Sequence, residues 1–198
     1  VTGRREANKQ RTRETLERVA LQLFLDQGYQ ETTVPEIAAA AEVAERTFFR
    51  YFPTKADVLF ARQDEDFALF STGFASVPVA PAPAWSEVHA ALRAFAEAYE
   101  PTRERNRLHS RLLQQDPSVL ARASGVMGEW RNRVAHELSL RHGRRVDDPD
   151  IQLLAGVATA VLGAAGIEWL ESGRSYVEAV DAAVVRLGDL LGGGSMPT

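Results

Sequence analysis

Arg46 and Arg50 stand four residues apart, and so do Phe48 and Phe52, within the run Glu45-Arg46-Thr47-Phe48-Phe49-Arg50-Tyr51-Phe52. On a helix, residues at i and i+4 share a face. The two phenylalanines then form an apolar anchor, and the two guanidinium groups lie roughly opposite it. A short helix with an anchored apolar side and a free cationic side suits insertion into the major groove of DNA. There, Arg46 can make a bidentate pair with guanine and Glu45 can accept from cytosine N4, pairs worth about 1–3 kcal/mol each. Lys55, at the start of a further helix beside Thr54, suits a phosphate.

The preceding residues supply the element that must hold this helix. Thr33 is an N-cap with Glu36 three residues on, which is a capping box. Pro35 falls in the first turn, where its missing N–H is harmless. A helix therefore runs from Thr33 to about Ala41, Glu42-Val43 makes a turn, and the second helix covers about Glu45 to Phe52. Upstream, Leu16, Val19, Ala20, Leu23 and Phe24 repeat at helical spacing within a helix expected over Lys9–Gln27, ended by Gly28. Three helices thus form a head with a core of Leu16, Val19, Leu23, Phe24, Ile37, Val43, Phe48 and Phe52.

This segment resembles the DNA-binding part of the TetR family of transcriptional regulators. The resemblance rests on Thr33, Ile37-Ala38, Val43, the run Thr47-Phe48-Phe49-Arg50-Tyr51-Phe52, Lys55 and Leu59. It implies an N-terminal helix-turn-helix head, a C-terminal helical domain that binds a small molecule and dimerises, and double-stranded operator DNA as partner. It places Thr33, Phe49, Tyr51 and Lys55 at the phosphate backbone. With Val34, Glu45, Arg46, Thr47 and Arg50 they make up the expected DNA-binding set. Three residues depart from the family pattern. Glu42 stands where glycine is usual, at a cost of about 1 kcal/mol if the turn is left-handed. Ala44 stands where a serine often caps the recognition helix, a loss of roughly 1 kcal/mol. Phe49 replaces a frequent tyrosine and offers only apolar contact, such as to a thymine methyl.

At 198 residues with 45% hydrophobic residues, the chain is long enough for a real core and too apolar for a disordered one. Its net charge of −4 excludes a general polycation, so affinity for DNA must be local. Arg4, Arg5, Lys9, Arg11 and Arg13, against the single acid Glu6, supply it as a basic arm over residues 1–13. The absence of cysteine excludes disulfides and thiolate metal sites and fits the cytoplasm. The polar N-terminus lacks an apolar signal region. Ile151 to Ile167 is an uncharged run of 17 residues, at the lower limit of about 17–25 for a spanning helix. Its alanines and glycines, Gln152 and Thr159, and the lack of basic flanks favour a buried helix and no membrane.

The remainder reads as helices only. A fourth is expected from Lys55 to about Ser76, capped by Thr54. A proline-rich connector follows, and Ser86 caps a helix to Glu100. Helices from Pro101 to Gln115 and from Asp116-Pro117 to His142 come next. Asp148-Pro149 opens one that Gly173 ends, and the last covers Tyr176–Leu191. The fold class is all-α. The expected domains are 1–54 for the head and 55–191 for the effector and dimerisation domain, with 192–198 as a flexible tail.

Phe70, Phe95, Tyr99, Met127, Trp130 and Trp169 could line a pocket for a small hydrophobic effector, with His109 as a polar contact. Ordinary packing explains most of them, and the pocket is chiefly an implication of the resemblance. Gly156, Thr159, Gly163 and Gly166 on one helix, with Val180, Val184, Leu187 and Leu191 on the next, are the expected homodimer interface. The histidines His89, His109, His136 and His142 show no metal-binding spacing, and no catalytic signature occurs. No cofactor, metal or enzymatic activity is expected. The alternatives are a helical small-molecule binding protein without DNA binding and, further off, a helical-bundle enzyme.

Overall fold

A computed structural model describes residues 2–115 and 117–192. Among them are nine α-helices and no strand. The helices are α1 (Thr2–Gln27), α2 (Val34–Ala40), α3 (Glu45–Tyr51), α4 (Gln63–Ser76), α5 (Trp85–Tyr99), α6 (Arg103–Gln115), α7 (Pro117–His142), α8 (Pro149–Ser172) and α9 (Tyr176–Gly192). Helix ends follow the local chemistry. Gly28 and Gly173 take left-handed φ values of 97° and 74° after α1 and α8. Asp148 caps α8, its carboxylate accepting from the N–H groups of Asp150 and Ile151 at 3.0 and 3.4 Å.

The chain divides into two compact units. The first holds residues 1–64 and 104–123, the second 65–103 and 124–198. The first is the expected head with an addition. Leu16, Ala20, Phe24, Ile37, Phe48 and Phe52 pack with Val58 and Leu59, and then with Leu112 of α6 and Val119 of α7. Val19, Leu23 and Val43 are partly buried at its edge. The boundary expected at Thr54 therefore lies ten residues later, at Asp64, and α6 joins the head.

Three expected elements differ. The first helix begins at Thr2, so the described part of the basic arm is helical instead of an extension before Lys9. Ser86 does not cap α5: the N-cap position is Ala84, and no side chain bonds there. The expected fourth helix is broken. Lys55–Val58 is a single 3-10 turn, residues 59–62 are irregular, and α4 starts at Gln63. Tertiary contacts hold the break. Val58 and Leu59 are buried in the head, the Arg13 guanidinium donates to the Ala61 carbonyl, and Arg62 pairs with Glu17 at 2.8 Å.

In the second unit α5, α8 and α9 share one core, with Val134, Ala135 and Leu138 of α7 and Phe70 and Phe74 of α4. Glu87, almost fully buried, accepts from Arg141 and lies 2.9 Å from His142 Nε2. Arg141 also donates to the Phe74 carbonyl at 3.0 Å, so one guanidinium joins α5, by its ion pair with Glu87, and the end of α4, by a hydrogen bond, to the end of α7.

Candidate DNA-binding surface

The geometry of α2 is set by its cap. The Glu36 carboxylate accepts from the Thr33 N–H and hydroxyl, each at 2.8 Å, and the Glu36 N–H lies 3.4 Å from the Thr33 hydroxyl oxygen. These bonds, the Thr33 backbone first, hold the Glu36 carboxyl below its ordinary range. The helix then turns at Glu42, whose φ of 55° lies in the left-handed region. Glutamate thus occupies a position that favours glycine. The N–H groups of Glu42 and Val43 still bond to the Ala39 and Ala38 carbonyls at 3.0 and 2.9 Å. Ala44 is the N-cap of α3, with no side-chain bond, as its methyl group requires.

Phe48 and Phe52 are buried, with ring centroids 5.6 Å apart. Glu45, Arg46, Phe49 and Arg50 are exposed, while Thr47 and Tyr51 are partly covered. Arg50 lies over the Tyr51 ring at 5.1 Å, with a guanidinium nitrogen 3.5 Å from its hydroxyl. One short helix therefore presents a carboxylate, two guanidinium groups, an exposed ring and a phenol on a rigid base. That inventory can pair with base edges and phosphates. Thr33 is exposed and Val34 half-buried at the start of α2.

Lys55 is placed differently from a free phosphate anchor. Its Nζ donates to the carbonyls of Tyr29, Gln30 and Thr32 at 2.6, 3.3 and 2.8 Å, and it lies 4.5 Å from the Tyr29 ring centroid. The ammonium ties the turn after α3 to the loop after α1.

The residues expected around an effector separate. Phe70, Phe95, Tyr99, Trp130 and Trp169 belong to one aromatic train in the second unit. Phe70–Trp130, Phe95–Trp130, Phe95–Tyr99 and Tyr99–Trp169 centroids are 6.0, 5.7, 4.9 and 5.8 Å apart. Tyr176, which the spacing did not single out, stacks on Trp169 at 4.6 Å. The Glu100 carboxylate fixes this end, accepting from Trp169 Nε1 at 3.0 Å and the Tyr176 N–H at 2.7 Å. Met127 is exposed and outside the train. His109 lies in the head unit instead, edge-on to Phe60 at 5.8 Å. Its Nε2 is buried without a hydrogen-bond partner among the described residues, and burial, then the charge of Arg105, pushes the imidazole down to about 4.

The expected dimer residues also sort by exposure. Val180 is fully buried within its own chain, and a Cβ on Gly166 would meet the Tyr176 hydroxyl at 3.7 Å, so neither faces outward. Thr159, Val184 and Leu187 are partly buried, the last two packing on the chain's own core. Gly156 and Gly163 have open space where a Cβ would stand. Leu153, Ile167, Val185, Leu190 and Leu191 are exposed apolar side chains. Leu153 and Ile167 mark a second α8 face, legible as Leu153-Gly156-Ala160-Gly163-Ile167 at helical spacing.

Comparison with known proteins bears on the whole chain. Residues 18–61 match the family model of bacterial regulatory proteins of the tetR family, and residues 82–192 match that of the MftR C-terminal domain. The HTH-type transcriptional regulator TcmR of Streptomyces glaucescens is 33% identical over 195 residues, covering 91% of this chain and 83% of TcmR. The mycofactocin biosynthesis transcriptional regulator MftR of Mycobacterium tuberculosis is 30% identical over 183 residues, covering 89% and 87%. Among solved structures, the TetR-type repressor FadR of Thermus thermophilus, in complex with lauroyl-CoA, is 26% identical with a TM-score of 0.53, over 94% of this chain and 96% of that one. These relatives are transcriptional regulators. With its capped helix-turn-helix and its match over the C-terminal half, the chain belongs to the TetR family of bacterial regulatory proteins.

Proposed function

We propose that this regulator acts as a homodimeric repressor in the cytoplasm, binding a pseudopalindromic operator and leaving it when a small hydrophobic molecule binds the second unit. The observation that carries the reading is α3: Phe48 and Phe52 buried beneath exposed Arg46 and Arg50. Base contact falls to Arg46 and Glu45. Thr33, Val34, Thr47, Phe49, Arg50 and Tyr51 meet the sugar–phosphate backbone or base methyls. Two-fold symmetry sets the heads one helical turn of DNA apart, about 34–36 Å, or a multiple of it.

The effector class follows from the aromatic train, whose partly buried members Tyr99 and Trp130 offer apolar surface with few polar groups. That FadR is described with an acyl-CoA bound supports a ligand with a long apolar part. Coupling runs through three covalent crossings between the units, at 64/65, 103/104 and 123/124. A single rigid fourth helix is not the carrier, because residues 59–62 interrupt it. A coupling of about 1–3 kcal/mol would change operator affinity 5–150-fold, and operator would lower effector affinity by the same factor.

The test begins with a duplex selected by the protein from a random-sequence pool. Arg46→Ala should weaken binding to it by about 1–3 kcal/mol and relax preference at one base pair. Failure to enrich any duplex would leave a helical binding protein without DNA recognition, the reading that Glu42 and Ala44 would then favour.

A further inference from the structure

Glu42 is the one non-glycine residue with positive φ among the described residues, at 55° in the turn between α2 and α3. Glycine fits such a backbone without the crowding of a Cβ. The turn cannot relax away from it. The Glu42 and Val43 N–H groups are bonded to the Ala39 and Ala38 carbonyls, and Ala38, Ala41 and Phe48, which flank the turn in sequence, are buried. Nor does the side chain serve the fold: it is exposed, with no hydrogen bond or ion pair among the described residues. A strained residue without an internal role points to an external one.

The surrounding charges narrow that role. Residues 33–52 carry three acids, Glu36, Glu42 and Glu45, against two bases, Arg46 and Arg50. Glu36 is engaged in the α2 cap, and Lys55 is held by loop carbonyls. The start of α3 therefore presents two exposed carboxylates, at the end of a recognition helix that meets base edges. A carboxylate there repels the phosphates of every sequence. It is compensated only where a base edge offers a donor, and cytosine N4 is the donor that suits a glutamate. A charge left unpaired at the wrong sites is a means of telling them from the right one.

We infer that Glu42 is a specificity-determining residue: held out by the strained turn, its carboxylate weakens binding to DNA in general and accepts from a cytosine N4 at the operator. The inference rests on the DNA-binding reading above and deepens it, from which helix reads DNA to how wrong sites are refused.

The experiment measures affinity on the selected duplex and on a scrambled duplex at low salt, for wild type, Glu42→Gly, Glu42→Gln and Asp26→Asn. The last removes the same charge from an exposed position near the end of α1. On the scrambled duplex both Glu42 variants should bind about two- to fivefold more tightly, the range of an exposed charge interaction. On the selected duplex Glu42→Gly should bind more weakly, so its selected-to-scrambled ratio falls at least about fivefold. Repeated selection should relax its preference at one cytosine, and shift that of Glu42→Gln toward adenine, whose N6 and N7 a glutamine can meet. Asp26→Asn should keep the wild-type ratio. In urea, Glu42→Gly should unfold at a higher midpoint than wild type, because the strain is gone. A ratio unchanged in Glu42→Gly, or one that falls as far in Asp26→Asn, would overturn the inference while DNA binding stands. So would a lower midpoint for Glu42→Gly, since the glutamate would then serve the fold. If wild type enriches no duplex, the operator reading fails and this inference with it, a result distinct from an enriched duplex with an unchanged ratio.

Discussion

At the scale of single residues, Lys55 separates what a residue type suggests from what its surroundings make of it. An ammonium has three donors and no acceptor, and the carbonyls of Tyr29, Gln30 and Thr32 receive it. Beside Thr54 at a helix start, it reads in the sequence as a phosphate ligand. Nothing in the local spacing points to a loop more than twenty residues upstream. Lys55→Met keeps the stem and removes the charge, leaving those carbonyls without this donor. The expected cost is about 2–3 kcal/mol in urea unfolding, the range for hydrogen bonds to a charged group. Operator binding, measured well below the melting temperature, should keep its salt slope. A variant of wild-type stability whose slope falls by about 0.9 would return Lys55 to the phosphate backbone. Glu42 is the opposite case. Its departure from glycine was legible, and the structure gives it the left-handed φ that makes the departure costly.

At the scale of elements, boundaries with a chemical signature were legible and those set by distant contacts were not. Thr33, Pro35, Gly28, Asp148 and Gly173 each mark an end where the structure puts one. The interruption at residues 59–62 left no such mark. Val58 and Leu59, then Phe67 and Phe70, keep helical spacing although the first pair is buried in the head and the second packs in the other core. The place of α6 was hidden for the same reason, since Leu112 has the periodicity of any buried helix face. His109, on that helix, reports its packing through pH. Its folded value of about 4 lies below the ordinary 6.5, so between these limits the unfolded chain takes up a proton that the folded chain refuses. Its contribution is therefore fully present above about pH 6.5 and lost as pH falls toward 4. His109→Leu should remove that slope: relative to wild type, the variant should gain up to about 3 kcal/mol between pH 7 and pH 4. Urea titrations at several pH values, differenced between the two proteins, cancel the other three histidines. A difference constant with pH would mean that His109 is solvated in the folded chain.

At the scale of the molecule, α8 has two apolar faces, one buried in its own chain and one exposed. Ile151, Ala155, Ala158, Leu162, Ala165 and Trp169 follow helical spacing and are buried in the chain's own core. Leu153, Gly156, Ala160, Gly163 and Ile167 run along another side, with Leu153 and Ile167 66% and 62% exposed. This two-sidedness explains how a helix long and apolar enough to cross a membrane can serve as a packing element in a regulator. On the homodimer reading proposed above, both faces are apolar because each meets protein. The bare face, with the exposed Val185, Leu190 and Leu191 of α9, is the surface we assign to the homodimer, with glycines that let a second helix approach closely. Ile167→Glu and Gly163→Trp should each reduce the sedimenting mass at micromolar concentration from two chains to one, with the helical content unchanged. Val180→Ala should act otherwise: it opens a cavity inside one chain, lowers stability, and leaves the dimer mass intact. Operator binding must fall with the dimer, because two linked heads gain about 10²–10⁴ in affinity over one. Single-half-site duplexes should bind Ile167→Glu and wild-type heads alike. A chain that sediments as a monomer before mutation, or keeps its dimer mass in both outward variants, would place the partner of this face elsewhere.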